Sequence, residues 1–542
     1  MASEALKNTD GAPFAGTRRR VDRERHYKLA QLRVAGREPF PDVSLPSRSL
    51  ATEIHASHDP HLLDGGEHEQ WRYLVAGRLV ARRKHRHATF LDLRDRSGVI
   101  ELCVKRDRLG ETQCSQLVSS DLGDIVSAEG TVYVTDNHTL TLSVTSSQLL
   151  AKALRWPPAM STLRGSAVMD DRAGHGQTTA ADTRHRQREL ELLASEWTRG
   201  LFEVRSSATK AIRHWLGKHE FVEVEAPVLE RRTGGPPVIA PTAAGTPPTL
   251  PLAVSGPDRP SRGLVLRRSS RAYMRACLLS GLERVYELGK RFPSDQRGCC
   301  EVTMLEWAAA YIDCREAACQ AEALIVHTAA AIVPEVRLRR DGQTIDLRGP
   351  WRSTSLRECI LESCGVDILA ADAATLASRL AHAAGATRST RHRSPTAGTG
   401  EDSWASVVLA LYATFVEPKL IEPTIVYGFP VTGRALVRKH PLDERLAADF
   451  RVVAGAVELA AGNGELNDPH ERWARAQRQS TARDSGTPLA CPEHELRLLE
   501  YGLCPAASFE LHVDRLLMLL TASATTRDVI PFPAFASGSP RA

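Results

Sequence analysis

The sequence contains no continuous apolar stretch of about 18 residues, so neither a membrane-spanning helix nor a membrane partner is expected. Its first residues, MASEALKNTDGAPFAG, lack the apolar segment of a secretory signal, which favours a cytoplasmic protein. The eleven cysteines include no CxxC pair, and the adjacent Cys299 and Cys300 suit neither a zinc finger nor a redox motif. We therefore expect unpaired thiols in a reducing compartment.

Aromatic residues are also scarce, at 5% of the 542 residues, although hydrophobic residues make up 42% and charged residues 25%. These proportions exclude a largely disordered chain, and the length predicts two or three domains. The net charge is only +5 but is unevenly distributed, since residues 18–37 carry eight Arg or Lys against Asp22 and Glu24. The segment is predicted to be a basic amphipathic helix, which either contacts RNA phosphates or packs on the next domain.

A β-rich region begins at Trp71 and ends at Leu149. Alternating apolar residues predict strands at 73–81, 88–95 and 98–104, and two further strands follow before the region ends. Five short strands in about 80 residues are typical of a small Greek-key barrel of the OB type.

Basic residues cluster on one strand and the following turn of this region, with an aromatic residue close by. A positive surface with an aromatic platform is typical of single-stranded nucleic acid binding. The candidate RNA-binding residues are Arg78, Arg82, Arg83, Lys84, Arg86 and Phe90. Phe90 is also compatible with a position in the core of the barrel.

The remainder of the chain alternates predicted helices and strands. Residues 190–203 and 204–218 have helical patterns, and a strand is predicted at 221–229. Segments low in apolar residues or rich in Pro and Gly predict a linker at 164–187 and a long loop at 231–262.

Residues 283–307, ERVYELGKRFPSDQRGCCEVTMLEW, predict two strands around a polar loop. Lys290 and Arg291 precede the loop and suit a negatively charged ligand. Pro293, however, offers such a ligand neither a charged side chain nor a backbone N–H. The loop therefore either never bound an anion or has lost that function.

Several stretches occur in an order that is hard to obtain by chance. They are LRVAGREPFPD (32–42), FVEVEAPVL (221–229), ERVYELGKRF with EVTMLEW (283–307), VEPKLIEPTIVYGFP (416–430), ELNDP (465–469) and VDRLLMLLTASATTRDVIPFP (513–533). Together they resemble the class II lysyl-tRNA synthetase family over nearly the whole chain.

The resemblance implies an α+β protein in which an N-terminal OB-type β-barrel precedes a class II synthetase catalytic domain built on an antiparallel sheet. The expected divisions are a basic helical extension at 1–65, an anticodon-binding-like barrel at 66–155, a linker at 156–190 and a catalytic domain at 191–537. Members of this family bind ATP, Mg²⁺ and lysine, form lysyl-adenylate and pass lysine to tRNA.

The resemblance also implies a homodimer that forms largely through the segment ending at Pro227. We expect the helix and strand at 204–229 to bury apolar side chains that a monomer would expose. These side chains are Ile212, Trp215, Phe221 and Val224.

Four functional positions of the family keep suitable residues. By resemblance, Arg515 contacts ATP, Glu458 is a carboxylate ligand of Mg²⁺, and Glu306 and Glu465 line the lysine pocket. Each of these side chains could instead persist as part of a structural ion pair.

The ATP loop departs from the family pattern. The arginine that neutralises the α-phosphate corresponds to Pro293, and the glutamate two residues later corresponds to Asp295. Gly298 takes the place of a histidine near ATP, and Val302 that of an aromatic residue stacked on adenine.

The nucleotide and metal positions depart as well. Family glycines beside the nucleotide correspond to Ser508, Glu510 and His512, whose side chains occupy space that glycine leaves open. The carboxylate partner of Glu458 in the family corresponds to Arg451, and a guanidinium cannot ligate Mg²⁺.

Substitutions also affect recognition of lysine and the anticodon. Arg271 replaces a family glutamate of the lysine pocket, and Ala461 and Asn463 replace an asparagine and an aromatic residue. An arginine in a pocket for an ammonium group should repel that ligand. In the barrel, Phe90 matches an aromatic residue that stacks on the anticodon, whereas Glu101 replaces a base-reading glutamine.

Three hypotheses follow from this mixture. In the first, the chain is a non-catalytic synthetase paralogue that acts as an RNA-binding or regulatory protein. In the second, it is a working lysine–tRNA ligase. In the third, it is a repurposed enzyme that activates another substrate with ATP. Losses spread over four separate segments favour the first hypothesis.

Overall fold

The computed structural model describes residues 17–60, 68–135, 137–155, 188–231, 264–292, 301–340, 342–386, 401–481 and 493–533. These residues form two compact units. The first contains the described residues up to 155 together with 189–195, and the second contains residue 188 and those from 196 onward. The expected linker at 164–187 lies outside the described residues, as does most of the expected loop at 231–262.

The first unit contains a closed barrel whose strand order is β1-β2-β3-β5-β4. Its strands are β1 (His68–Lys84), β2 (Thr89–Arg94), β3 (Val99–Val104), β4 (Ile125–Val134) and β5 (Leu140–Ala151), and its helices are α1 (Thr17–Val34), α2 (Ala51–Ser57), α3 (Arg106–Leu109) and α4 (Glu111–Ser119). Alternate residues point inward, so Leu79, Leu91, Leu93, Leu102 and Leu142 are fully buried. The prediction of an OB-type barrel is confirmed.

The predicted basic helix is α1, and one side of it packs on the barrel. Arg25 is 2% exposed and donates a hydrogen bond of 2.8 Å to the carbonyl oxygen of Leu122. Lys28 forms an ion pair of 2.5 Å with Asp121. Part of the basic charge of α1 therefore attaches the helix to the barrel.

The second unit is built on an eight-stranded sheet with the order β13-β14-β15-β16-β17-β10-β9-β6. Its strands are β6 (Val222–Glu223), β9 (Arg284–Arg291), β10 (Val302–Ala310), β13 (Arg352–Ser355), β14 (Thr424–Tyr427), β15 (Asp449–Ala454), β16 (Val457–Gly464) and β17 (Ala506–His512). Two two-stranded sheets pair β7 (Leu229–Arg231) with β8 (Leu264–Leu266) and β11 (Arg337–Arg340) with β12 (Gln343–Asp346). The β13–β14 and β6–β9 pairs are parallel and the others in the sheet are antiparallel.

The remaining helices follow the same chain order. They are α5 (Arg188–Ala194), α6 (Glu196–Lys218), α7 (Arg271–Leu279), α8 (Cys314–Ala330), α9 (Leu356–Cys364), α10 (Ala373–Ala386), α11 (Glu401–Leu411), α12 (Pro469–Thr481), α13 (Glu493–Glu500), α14 (Val513–Leu520) and α15 (Thr526–Val529). Short 3₁₀ turns occupy Pro334–Val336 and Glu417–Lys419, and Tyr412–Val416 is π-helical. No helix within the described ranges is long and apolar enough to cross a membrane.

The predicted helix boundary between residues 203 and 204 is wrong, because α6 continues through it. A single buried stripe that includes Leu201, Ala208, Ile212 and Trp215 runs along the helix, and this spacing keeps one face of it against the core. The break in the helical segment lies instead at Ser195.

The apolar residues assigned to the dimer interface need a second correction. Ile212, Trp215 and Phe221 are 0%, 6% and 6% exposed within the single chain, and Val224 is partly buried. These side chains pack within their own chain, so their apolar character is not evidence for a homodimer. The predicted strand at 221–229 is also interrupted, since only β6 and the first residue of β7 fall within it.

One face of the eight-stranded sheet forms the main core. Leu305, Trp307, Phe450, Phe509 and Leu511 are fully buried on this face, against helices that include α6, α8 and α14. Gly462 is needed opposite Phe450, since an added Cβ would lie 2.4 Å from the Phe450 ring.

The other face carries five direct cross-strand neighbours, which we call the polar row. They are Glu287, Glu306, Glu510, Ala461 and Arg451, on β9, β10, β17, β16 and β15 in that order. Because side chains alternate along a strand, these residues share the face opposite the main core. The sheet thus presents a line of five residues on this face, of which all but Ala461 are charged.

Candidate active site

Glu306 is held in place by three donors. Its carboxylate accepts hydrogen bonds of 2.7 Å from the Ser270 backbone N–H and from Nη2 of Arg291, and a third from the Ser270 hydroxyl. Burial alone would raise the pKa of Glu306, but Arg291 and the Ser270 donor hold it below its usual value. All three hydrogen bonds reach the same oxygen, Oε2, so the chain itself neutralises the charge of Glu306.

Arg291 belongs to a larger buried ion cluster. Its Nη2 also lies 3.0 Å from the carboxylate of Glu287, whose other oxygen lies 2.6 Å from Nη2 of Arg267. Lys290 pairs with Glu301 at 3.0 Å. Both cations that precede the predicted anion loop are therefore engaged by carboxylates of the chain.

Helix α7 brings two arginines to the polar face one turn apart. Met274 and Leu278 anchor the helix in an apolar cluster. Arg275 contacts Glu465 through both Nε and Nη2 at 2.7 Å, and Glu465 is 2% exposed. Burial would raise the pKa of Glu465, yet Arg275 and Arg271 lower it below its usual value.

Arg271 contacts the chain more loosely. Its Nη1 donates a 3.0 Å hydrogen bond to the side-chain oxygen of Asn463, and its Nη2 lies 3.8 Å from Glu510. Burial raises the pKa of Glu510 despite the attraction of Arg271. The structure therefore brings the predicted substitutions at 271, 463 and 510 together, with Ala461 directly opposite Glu510 on the neighbouring strand.

The candidate metal position is occupied by an ion pair. Nη1 of Arg451 lies 2.8 Å from Oε2 of Glu458, and the guanidinium lies 4.0 Å from the centre of the Phe429 ring. A register shift between β15 and β16 brings Glu458 beside Val453, two residues along β15 from Arg451. Within the described residues, no group of three or more His, Cys, Asp or Glu side chains is arranged to hold a metal ion.

Arg515 and His512 lie next to this pair. Nη1 of Arg515 donates a 2.9 Å hydrogen bond to the backbone oxygen of Glu458. Burial, with a smaller effect of Arg515, lowers the pKa of His512 to about 3, so the imidazole is neutral at physiological pH. Val302 begins β10 opposite Arg291 and is partly buried. Pro293, Asp295 and Gly298 lie outside the described residues.

In the barrel, the candidate RNA-binding arginines contact the chain itself. Arg78 donates a 2.7 Å hydrogen bond to the Gly123 carbonyl oxygen, and Arg82 bonds to the carbonyl oxygen of Ser120. Arg83 pairs with Asp92 at 2.8 Å and also with Glu101.

Phe90 lies opposite Arg83 on the neighbouring strand and is partly buried, in edge contact with His85 at 5.4 Å. Its strand neighbours Leu91 and Leu93 fill the barrel core. Lys84 and Arg86 are exposed. Phe90 therefore lies outside the apolar core cluster, on the same strand face as the Arg83–Asp92 pair.

Two family models match the chain. Residues 180–536 match the class II tRNA synthetases for D, K and N, and residues 73–150 match an OB-fold nucleic acid binding domain. The lysine–tRNA ligase of Leuconostoc citreum is 31% identical over 490 residues, which cover 89% of this chain and 92% of that protein.

The chain belongs to the class II lysyl-tRNA synthetase family.

Two further relatives of this chain are also named lysine–tRNA ligase. The lysine–tRNA ligase of Latilactobacillus sakei is 30% identical over 516 residues, covering 94% of each chain. That of Coxiella burnetii is 31% identical over 520 residues, covering 95% of this chain and 97% of the relative. The resemblance stated from the sequence is therefore confirmed, as is the α+β fold with an OB-type barrel followed by a class II synthetase domain.

Sequence patterns did not indicate which arginines neutralise the carboxylates of the site. The sequence patterns assign no role to Arg275 or Arg267, and they show Arg291 only as a cation before a candidate anion loop, whereas it contacts Glu306 and Glu287. A signal existed for α7, because Arg271 and Arg275 are four residues apart and must share a helix face. For Arg451 and Glu458 the family resemblance supplied the signal, because it assigns these two positions to carboxylates that share one Mg²⁺.

Proposed function

We propose that this family member has lost lysine adenylation and acts as an RNA-binding or regulatory protein. The ion pair of Arg451 and Glu458 carries the proposal, because it neutralises the carboxylate expected to hold Mg²⁺. Arg451 is 4% exposed and stacks on Phe429, so it is an integrated part of the structure.

The family normally uses ATP and Mg²⁺, and the residues at this site do not fit the metal. Mg²⁺ requires several hard oxygen ligands in octahedral geometry, whereas a cationic guanidinium stands beside Glu458. Arg515 remains available to contact a nucleotide. The phosphate-binding arginine of the family is represented by Pro293, which removes a second source of positive charge.

The state of the lysine pocket supports the same proposal. One oxygen of Glu306 accepts hydrogen bonds from Ser270 and Arg291, and one oxygen of Glu465 accepts a hydrogen bond from Arg275. A lysine ammonium would have to share each carboxylate with an arginine, and Arg271 adds a positive charge nearby.

The decisive experiment is lysine-dependent ATP–pyrophosphate exchange with the purified chain. We expect exchange at background level, and Pro293→Arg alone should not restore it because the metal and lysine positions stay altered. Exchange within about tenfold of that of an intact family member would overturn the proposal.

A working lysine–tRNA ligase is the second candidate. It is favoured by 29–31% identity to lysine–tRNA ligases over most of the chain and by the retention of Arg515, Glu306, Glu465 and Glu458. The same exchange assay separates the two candidates. Under either, we propose a cytoplasmic homodimer with tRNA or another RNA as partner.

A further inference from the structure

Arg271 differs from the other arginines on the polar face in the distance to its nearest carboxylate. The Arg291–Glu306, Arg275–Glu465 and Arg451–Glu458 pairs measure 2.7, 2.7 and 2.8 Å. Arg271 is 3.8 Å from Glu510, at the outer limit of an ion pair. Glu465 and Glu306 also attract Arg271, but its closest ion pair is the longest of the four.

The donors of Arg271 are also incompletely used. Nη1 is bonded to Asn463, whereas Nε is buried and has no hydrogen-bond partner among the described residues, as is also true of Nε of Arg291 and Nη2 of Arg275. A guanidinium presents five N–H donors in a planar fork, and a buried donor without a partner is destabilising. This geometry suits a planar acceptor such as a carboxylate.

The position is accessible although it lies near the middle of the sheet. The side chains of Arg271 and Glu510 are 23% and 33% exposed. Ala461, which lies opposite Glu510, carries only a methyl group on this face. The nearby acceptors that could attract a cation, Glu306 and Glu465, already have arginine partners at 2.7 Å.

From this cluster of Arg271, Asn463, Glu510 and Ala461 we infer that the pocket binds a small molecule through a carboxylate at the end of an aliphatic chain. Arg271 selects the negative charge and Asn463 orients the guanidinium. Glu510 is an internal counter-ion that the ligand displaces. The inference rests on the proposed loss of lysine recognition, and it gives the altered pocket a ligand of the opposite charge.

The test is isothermal titration of the full-length chain with L-2-aminoadipate, L-lysine and L-norleucine. These probes share the amino-acid head and a chain of similar length, and they end in a carboxylate, an ammonium and a methyl group. We expect aminoadipate to bind about tenfold or more tightly than either of the others.

Two variants test the assigned residues. Arg271→Gln should weaken aminoadipate binding about tenfold or more, whereas Glu510→Gln should strengthen it severalfold by removing the competing carboxylate. Arg357→Gln is the matched control, because Arg357 is an exposed residue paired with Asp367 away from the polar row. It should leave binding unchanged.

Each outcome has a distinct meaning. Aminoadipate that binds no better than norleucine, or binding that persists in Arg271→Gln, would overturn the inference and leave the proposed function standing. Tightest binding of lysine would overturn both. If Arg271→Gln fails to fold by circular dichroism, the ligand series and Glu510→Gln decide, and unchanged affinity in Glu510→Gln contradicts the inference.

Discussion

At the scale of single residues, the site is dominated by buried arginine–carboxylate pairs. Desolvation makes such pairs modest contributors to stability, yet removal of one partner leaves an uncompensated buried charge. Arg451 and Glu458 are the clearest case, with side chains 5% and 18% exposed. Loss of one partner is therefore expected to destabilise the folded state by more than the small net contribution of the intact pair.

Arg451→Met should lower the free energy of unfolding by about 3–5 kcal/mol, because Glu458 would remain charged without its partner. Urea unfolding followed by circular dichroism measures the effect. Arg352→Met is the control, since Arg352 and Glu362 are 51% and 60% exposed, and an exposed pair contributes about 0–1 kcal/mol. Equal losses in the two variants would contradict this account of the buried pair.

Arg451→Glu should place two carboxylates side by side and create a demand for a cation. We expect this variant to be destabilised without metal and to regain part of its stability when Mn²⁺ or Mg²⁺ is added, because only the folded state would bind the ion. The wild-type chain should show no such shift. Thermal unfolding across a metal titration measures both, and a metal-dependent shift in the wild type would argue against the assignment.

The low pKa of His512 predicts a specific pH dependence. The folded state keeps the imidazole neutral down to about pH 3, whereas the unfolded chain takes up a proton near pH 6.5, the ordinary pKa of a histidine side chain. The unfolded state therefore binds more protons below pH 6.5, and stability is lost as the pH falls toward 3. The loss is at most about 1.4 kcal/mol per pH unit.

His512→Gln should make this loss smaller between pH 6.5 and 5, as measured by urea unfolding at each pH. Replacement of the exposed His26 by Gln is the control and should keep the wild-type slope. The same slope in all three proteins would show that His512 does not titrate as described.

At the scale of the elements, the barrel strands hold Arg83 between Asp92 and Glu101. Asp92→Asn combined with Glu101→Gln should release this guanidinium for a phosphate. The log–log salt dependence of RNA binding should then steepen by about one unit. Filter binding of a lysine tRNA to the full-length chain, from about 50 to 200 mM salt, measures the slope.

The matched control is Glu129→Gln, because Glu129 pairs with the exposed Arg72 elsewhere on the barrel. Phe90→Ala should weaken binding by about 1–3 kcal/mol if a base stacks on the ring. An unchanged slope in the double variant would show that Arg83 does not contact RNA. Absence of RNA binding at low salt would remove the RNA role altogether.

The periodicity of the sequence predicted most of these elements. The barrel strands and the pair β9 and β10 follow from alternating apolar residues, and α1 follows from its helical pattern. The helix boundary predicted between residues 203 and 204 is wrong because one helical pattern was divided into two. Residues 196–218 form one helix whose apolar stripe continues through position 203, which only the burial of Leu201 and Ala208 against one core makes plain.

The pairing within the site could not be predicted from the sequence. Arg275 and Glu465 are 190 residues apart, and their contact depends on where α7 packs over the sheet. Arg451 and Glu458 are close in sequence, but they meet only because β15 and β16 form a hairpin with a register shift. The sequence showed which residues had changed, whereas their new partners depend on tertiary packing.

At the scale of the whole molecule, the homodimer remains a prediction, but it now rests on exposed apolar residues instead of the buried side chains of segment 204–229. Exposed apolar residues lie along the edge strand β6 and the adjoining turn toward β7, where Val222, Val228 and Leu229 are 47%, 41% and 45% exposed. An edge strand with unpaired backbone groups favours association with another chain. Sedimentation should give about twice the chain mass of 59.3 kDa.

Val222→Asp should shift that mass toward the monomer, because a charge would have to be buried at the interface. Leu361→Asp is the control, since Leu361 is 46% exposed on α9. A wild-type chain that sediments near 59.3 kDa at micromolar concentration would contradict the dimer.

The polar row also fixes the distances between the charged groups that a ligand could contact. Neighbouring strands are spaced by about 4.8 Å, so the four steps from Glu287 to Arg451 span about 19 Å. Arg271 contacts the row at Glu510, near its midpoint. A ligand anchored there would have to extend across two further strands to reach Arg451. The row therefore sets a minimum length for any molecule that contacts both Arg271 and Arg451, and a compact amino acid can contact only one of them.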